Sequence, residues 1–387
     1  MQKTHFILLV FLASCIEQYK PDISKYEDVF VVDGKLTNLP GPYVVKLSRS
    51  YKFEENGGLP VSGAQLKIID NTGLEFGLKE TDKGVYVTTD SEFRGIVGKS
   101  YKLQIKLGDG IYESAFETLS EPVPIDSIYW EYKKLQDGTS GIQLFLNTHD
   151  SQNRNRYYGW DYLDTWKYAV PMDYPDHPDR REGYRSSTNY YFNIATTIHR
   201  NQDIIEKQPL QFIGENVNKL YIRYSILVTQ YAYSEQAYKY LEDLISVNQN
   251  QGSLFDPTPY SLAGNLKNMS NEALPVLGYF LVAGASEKRI FIDRKELPKE
   301  YQPVNGFEDC LQEHIGVKWA LRDNLRQDRT YDSLMREGFS ILIRAVEYNA
   351  GPRREDTIIH LYMAKMRCYD STISGTNIKP DFWTDKQ

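Results

Sequence analysis

Cys15 carries the most specific chemistry in the chain. It follows Leu12-Ala13-Ser14, and the four residues match the bacterial lipobox, in which the cysteine sulfur takes a diacylglycerol and the chain is cut just before it. The segment ahead has the order of an export signal: a positively charged end, Met1 to His5, then the apolar run Phe6 to Leu12, then small residues. That run is too short to span a bilayer, which takes about 20 residues. The expectation is a leader over 1–14 and a mature protein that starts at a lipidated Cys15, tethered to a membrane surface. The bland alternative is an ordinary secreted protein with a chance cysteine.

Two cysteines remain, Cys310 and Cys368. In an exported protein such a pair is most simply one disulfide, with two free buried thiols as the alternative. No Cys-x-x-Cys is present, so neither a thioredoxin-like site nor a zinc knuckle is indicated.

Other reactive constellations are not nominated. His149, His177, His199, His314 and His360 are scattered, and no His-Glu-x-x-His occurs. Neither a Gly-x-Ser-x-Gly elbow nor a P-loop nor Gly-x-Gly-x-x-Gly appears. Paired carboxylates for glycoside hydrolysis come from distant parts of a chain, and nothing here singles out a pair. Residues 171–185 hold Asp173, Asp176, Asp179 and Glu182 among three prolines. This reads as a solvated loop, because calcium needs converging oxygens and the EF-hand spacing is missing. The sequence therefore names no catalytic residue, no metal ligand and no cofactor.

Composition narrows the class. At 41% hydrophobic and 25% charged, the 387-residue chain is ordinary for a folded protein. A net charge of -7 without a basic block disfavours nucleic acid, which needs clustered Lys and Arg. The outlier is 30 Tyr against 16 Phe and 5 Trp. Tyr favours strands and also binding faces, so β-rich packing and a recognition surface both fit.

The elements that must position any site are mainly strands. Residues 15–27 form a polar tether. Residues 28–120 read as an immunoglobulin-like sandwich: Val29–Val32 ends at Asp33-Gly34, Val61–Ile69 and Tyr101–Leu107 alternate, and Gly108-Asp109-Gly110 signals a hairpin. The order Val-x-Gly-Ala-x-Leu-x-Ile, turn, Gly-x-Tyr is similar to carboxypeptidase-regulatory-like modules, which bind or space rather than catalyse. Glu121-Pro122-Val123-Pro124 is a stiff break. Residues 121–387 are expected to form a larger β-rich domain with a helical insertion near 233–249. There Ser234 is the predicted N-cap, and Ala237, Leu241, Leu244 and Ile245 form the apolar face. Tyr158, Trp160 and Tyr162 share one strand face, read as half-buried packing before a ligand-stacking face. Val276–Val282 and Arg289–Ile292 read as a strand pair, short helices are expected near 307–315 and 332–336, and Ile358–Ala364 reads as a last strand. The tail from Cys368 to Trp383 is expected to lie on the surface.

Several of these stretches converge on one resemblance. The Leu-Ala-Ser-Cys start, Tyr157-Tyr158-Gly159-Trp160-Asp161-Tyr162 with Thr165-Trp166, Ser253–Pro257, Leu277–Phe280, and the ending Gly375-Thr376-Asn377-x-Lys379-Pro380-Asp381-Phe382-Trp383 carry it. Together they resemble a family of Bacteroidota outer-membrane lipoproteins classified as a domain of unknown function. Its members often have a further cysteine beside the tail cysteine, where this chain has Tyr369, Asp370 and Ser371. The resemblance implies a lipoprotein encoded beside a TonB-dependent transporter of the starch-utilisation type and acting as its cell-surface partner. It supplies no catalytic residues.

The expectation is thus a mainly β, lipid-anchored outer-membrane protein that binds or assists without catalysis. The alternatives are a surface glycoside or peptide hydrolase and a structural subunit of an envelope assembly.

Overall fold

The computed structural model describes residues 29–50, 58–249, 264–310, 312–318, 329–347 and 358–385. Cys15, with the leader and tether on either side of it, lies outside the described residues.

Among the described residues the chain is mainly β. The first nine strands are β1 (Phe30–Thr37), β2 (Val44–Arg49), β3 (Leu59–Pro60), β4 (Gln65–Asp70), β5 (Glu75–Asp82), β6 (Val85–Thr88), β7 (Ser100–Leu107), β8 (Gly110–Ser114) and β9 (Glu117–Thr118). Next come β10 (Ile125–Lys134), β11 (Ser140–His149), β12 (Tyr157–Ala169), β13 (Glu182–Thr196), β14 (Ile204–Gly214), β15 (Arg223–Ala232) and helix α1 (Glu235–Gln249). The remainder is β16 (Leu266–Asn268), β17 (Val276–Asp293), β18 (Gln312–Lys318), helix α2 (Arg329–Arg336), β19 (Phe339–Glu347) and β20 (Ile358–Lys365).

The alternation in β4 and β7 sets their inward faces, with Leu66, Ile68, Leu103 and Ile105 buried. They meet Val32, Leu36, Val45 and Leu47 in the first core. β7 and β8 form the hairpin that Gly108-Asp109-Gly110 signals, with Leu107 opposite Gly110.

The first sheet is not closed by residues 28–120 alone. β16 pairs antiparallel with β8, and β17 pairs parallel with β1, Phe30 facing Val276 and Thr37 facing Ala283. β17 is one 18-residue strand where the sequence suggested two. Its first half belongs with β1, and its second half pairs antiparallel with β15, Ala232 facing Gly284 and Arg223 facing Asp293. The polar stretch Ser286-Glu287-Lys288 resembles a turn in the sequence, yet it sits in register against Val228 to Gln230. Gly278 makes the β1 pairing possible: its φ is +108°, and a Cβ there would lie 1.8 Å from the Val32 carbonyl oxygen. β1 likewise runs through Asp33-Gly34 instead of ending there. Gly34 is a packing residue, since a Cβ would sit 3.0 Å from a Val45 methyl and 3.3 Å from the Phe280 ring.

A second core forms where the three-stranded sheet β10-β11-β14 covers β12, β15 and the second half of β17. Tyr158, Trp160, Tyr162 and Trp166 all point into it. That aromatic face is therefore packing. A third sheet, β18-β20-β19, buries Leu361 and Met363 against Tyr331 of α2. The region expected to be helical near 307–315 instead contributes β18 from Gln312, because β20 offers it a full antiparallel ladder. The tail runs over the surface from 372 to 382, as expected, but is pinned by buried residues at both ends, Cys368 to Ser371 and Trp383. Trp383 is 3% exposed, edge-on to Tyr184 and Phe291. Among the described residues no helix is long and apolar enough to cross a membrane.

Candidate functional site

Tyrosine usage is explained first by burial. At least fifteen of the 30 tyrosines are buried. Three of them donate to buried carboxylates: Tyr158 to Asp203, Tyr224 to Asp164 and Tyr279 to Glu117. Burial, reinforced by the neighbouring carboxylate, holds the Tyr158 and Tyr224 hydroxyls well above the ordinary phenol range. A strand-rich core with buried acids needs donors that also fill volume, and Tyr is both.

The site lies on the second face of β1 and β17. Phe30, Val32 and Leu36 enter the first core, so Val31, Asp33 and Lys35 face the other way. On the same side of β17 stand Tyr279, Leu281 and Ala283, which α1 covers with Ala237, Tyr238 and Leu241. The predicted cap is present: Ser234 Oγ accepts from the Ala237 N–H at 3.1 Å. It also donates to Glu117 at 2.9 Å, the carboxylate that receives Tyr279. Helix cap, buried acid and strand ring are thus one connected unit.

α1 leaves part of this face uncovered. The gap is a cavity of about 600 Å³ between α1, β1, β12 and β17, with Val44 and Lys46 of β2 at one side. Its walls are mostly apolar, including Leu241, Leu244, Leu281 and Ile194. Four charged side chains line it: Asp33, Lys35, Lys46 and Asp161. Lys35 Nζ is 2.7 Å from Asp161 Oδ2 and 3.8 Å from the centre of the Tyr231 ring. Asp33 and Lys46 face each other across the β1–β2 ladder, and neither has an ion pair among the described residues. Burial, then the Asp33 charge, raises the Tyr240 hydroxyl above its ordinary value. Tyr240 lies against Tyr279 with ring centres 5.0 Å apart. Trp160 is 1% exposed, its Nε1 donating to Gln230 Oε1 at 2.8 Å.

This is a concave, mostly apolar site with a few convergent polar groups, the usual make-up of a binding pocket. It can enclose a molecule with an apolar body and place charges of both signs at its polar ends. Among the described residues no cluster of three or more His, Cys, Asp or Glu side chains could hold a metal ion.

The residues the sequence singled out are elsewhere. Cys310 and Cys368 bring their sulfurs to bonding distance, with Cα atoms 5.7 Å apart. Cys310 packs against the cluster of Tyr168, Val170 and Phe307. Of the acidic run, Asp173 pairs with Arg181 and Asp179 accepts from Asn377 in the loop, while Glu182 opens β13 and pairs with Lys167. Lys35 and Asp161, 126 residues apart, carry no motif. Their one trace in the sequence is that Asp33 and Lys35 put two charges on a single face of an otherwise apolar strand.

The architecture defines a class: a mainly β protein in which one long strand, β17, runs from the first core into the second, with a cavity beside the junction. Within that class the chain belongs to the family described as Domain of unknown function (DUF4249), whose model matches residues 16–289. The match covers most of the chain and ends inside β17, so β18 to β20 and the tail lie beyond it. No curated protein matches the chain.

Proposed function

We propose that this protein is a lipoprotein of the outer membrane, held by a diacylglycerol on Cys15, that binds a ligand as the non-catalytic partner of a TonB-dependent transporter. The junction cavity carries the reading. It is large enough for a small nutrient molecule, its walls are mostly apolar, and the Asp161 carboxylate is already tied to Lys35. The lipobox supports the anchor, and the family resemblance supports the transporter partnership.

Affinity purification in mild detergent tests it, with mass spectrometry of the mature N-terminus. The expected outcome is a diacylated Cys15 and stoichiometric recovery of a β-barrel transporter. Recovery of a lone monomer under several detergents, or an unacylated N-terminus, would sink it.

One observation favours a hydrolase as the second reading: Asp33 and Asp161 line the same cavity. Against it, Lys35 already neutralises Asp161 at 2.7 Å. Turnover of a glycoside panel by wild-type protein, lost in Asp33→Asn, would establish that reading.

A further inference from the structure

A second concavity lies at the other end of β12, six residues or about 20 Å from Asp161 at the usual strand rise. Its volume is about 320 Å³. Here the start of β15, the end of β17 and the turn after it meet, fixed by the Arg294 N–H donating to the Ile222 carbonyl at 3.0 Å. The lining brings together four cations, Lys167, Arg223, Arg294 and Lys295, and two carboxylates, Asp293 and Asp385. Four against two leaves the lining at +2, on a chain whose net charge is -7.

The cations differ in how they are engaged. Arg223 is buried, lies over the Phe291 ring and is gripped by both Asp293 oxygens at 2.7 and 2.9 Å through one nitrogen, Nη1. Its Nε has no hydrogen-bond partner. Lys167 is held by Glu182 at 2.8 Å. Arg294 and Lys295 are consecutive and carry no ion pair among the described residues. On the tail, the hydrogen bond from Lys379 is the main cause that holds the Asp385 carboxyl below its usual range, with lesser contributions from Lys167 and Arg223 of the concavity.

We infer that this basic concavity is a binding site for a phosphate monoester. The buried guanidinium, gripped on one side only, and the two adjacent cations without an ion pair, Arg294 resting over the Tyr301 ring at 5.8 Å, match a dianion with several acceptor oxygens. Asp385 on the tail is the group such an anion would have to displace or share cations with. The same chemistry occurs in a free phosphate monoester and in an anionic lipid headgroup.

Titration calorimetry of the full-length protein with inorganic phosphate, at low ionic strength, reads the first source. Flotation with phosphatidylcholine vesicles with and without phosphatidic acid reads the second, using the full-length chain carrying Cys15→Ser so that acylation does not contribute. Saturable binding in either arm supports the site, and the arm that responds names the source. Arg294→Gln with Lys295→Gln should weaken that binding about tenfold or more. Lys295→Gln alone, at an exposed side chain, should leave the thermal midpoint unchanged and still weaken binding. Lys207→Gln, a basic surface residue elsewhere, should not. Binding in neither arm overturns the inference, as does binding unaffected by the double variant or weakened equally by Lys207→Gln.

Discussion

Asn38 holds Ala285 by both of its backbone groups. The Ala285 N–H donates to Asn38 Oδ1 at 2.6 Å, and Asn38 Nδ2 donates to the Ala285 carbonyl at 3.0 Å. Ala285 is where β17 has just left β1 and begun pairing with β15. The side chain therefore substitutes for the strand neighbour that the backbone loses at the switch. Asn38→Ala removes both partners and should destabilise the protein by about 1–3 kcal/mol, read as a lower urea midpoint with unchanged m-value. A shift within error would mean that the switch holds itself.

Gly278→Ala tests the parallel pairing. The added methyl would overlap the Val32 carbonyl, at a backbone angle that L-residues avoid. The expected loss is about 3 kcal/mol or more, seen as poor soluble yield or a thermal midpoint lowered by many degrees.

The buried tyrosines set an alkaline limit. Burial raises Tyr168 to about 12 and Tyr224 and Tyr233 well above 10. In the unfolded chain these groups ionise near 10. The unfolded state therefore loses protons first, and stability that is complete below about pH 10 falls as pH rises toward and past 12. Phenolate absorbance and circular dichroism should then change together in one alkaline transition. Full ionisation while the protein is still folded would contradict this.

The cysteine pair closes a loop of 58 residues. Cys310→Ser with Cys368→Ser should cost about 4 kcal/mol in the chain-entropy model. Thiol counting on the unfolded, unreduced wild-type protein should find neither cysteine free.

Val44 is 41% exposed at the side of the junction cavity. Val44→Arg should leave stability within about 0.5 kcal/mol and abolish ligand capture if this cavity is the working site. Retained capture would place the ligand elsewhere.

Local structure was readable where local rules decide it. The alternation in 65–70 and 100–107, the Gly108-Asp109 connection and the Ser234 cap all follow from neighbours in sequence. β17 was not, because a strand that changes partners midway shows no break in its own backbone and its polar centre imitates a loop. β18 was hidden because its ladder to β20 is specified more than 40 residues later. The cavity was equally hidden. Asp33 and Lys46 oppose each other through a cross-strand register, and Lys35 meets Asp161 only because β17 and β15 bring β1 and β12 into one sheet. The aromatic run 157–168 was legible as packing, since alternating large rings on a strand covered by a second sheet are buried between the two.

β1 is flanked on both sides, by β2 and by β17, and it is the first strand described after the lead from residue 15. Tension transmitted along that lead therefore reaches the middle of the molecule rather than a peelable margin. To yield, β1 must slide past two ladders at once, one of which continues into the second core. Under the anchoring proposed for Cys15, a pull on the tether would meet its last resistance at this point, with the anchor and the folded body mechanically in series through a single central strand.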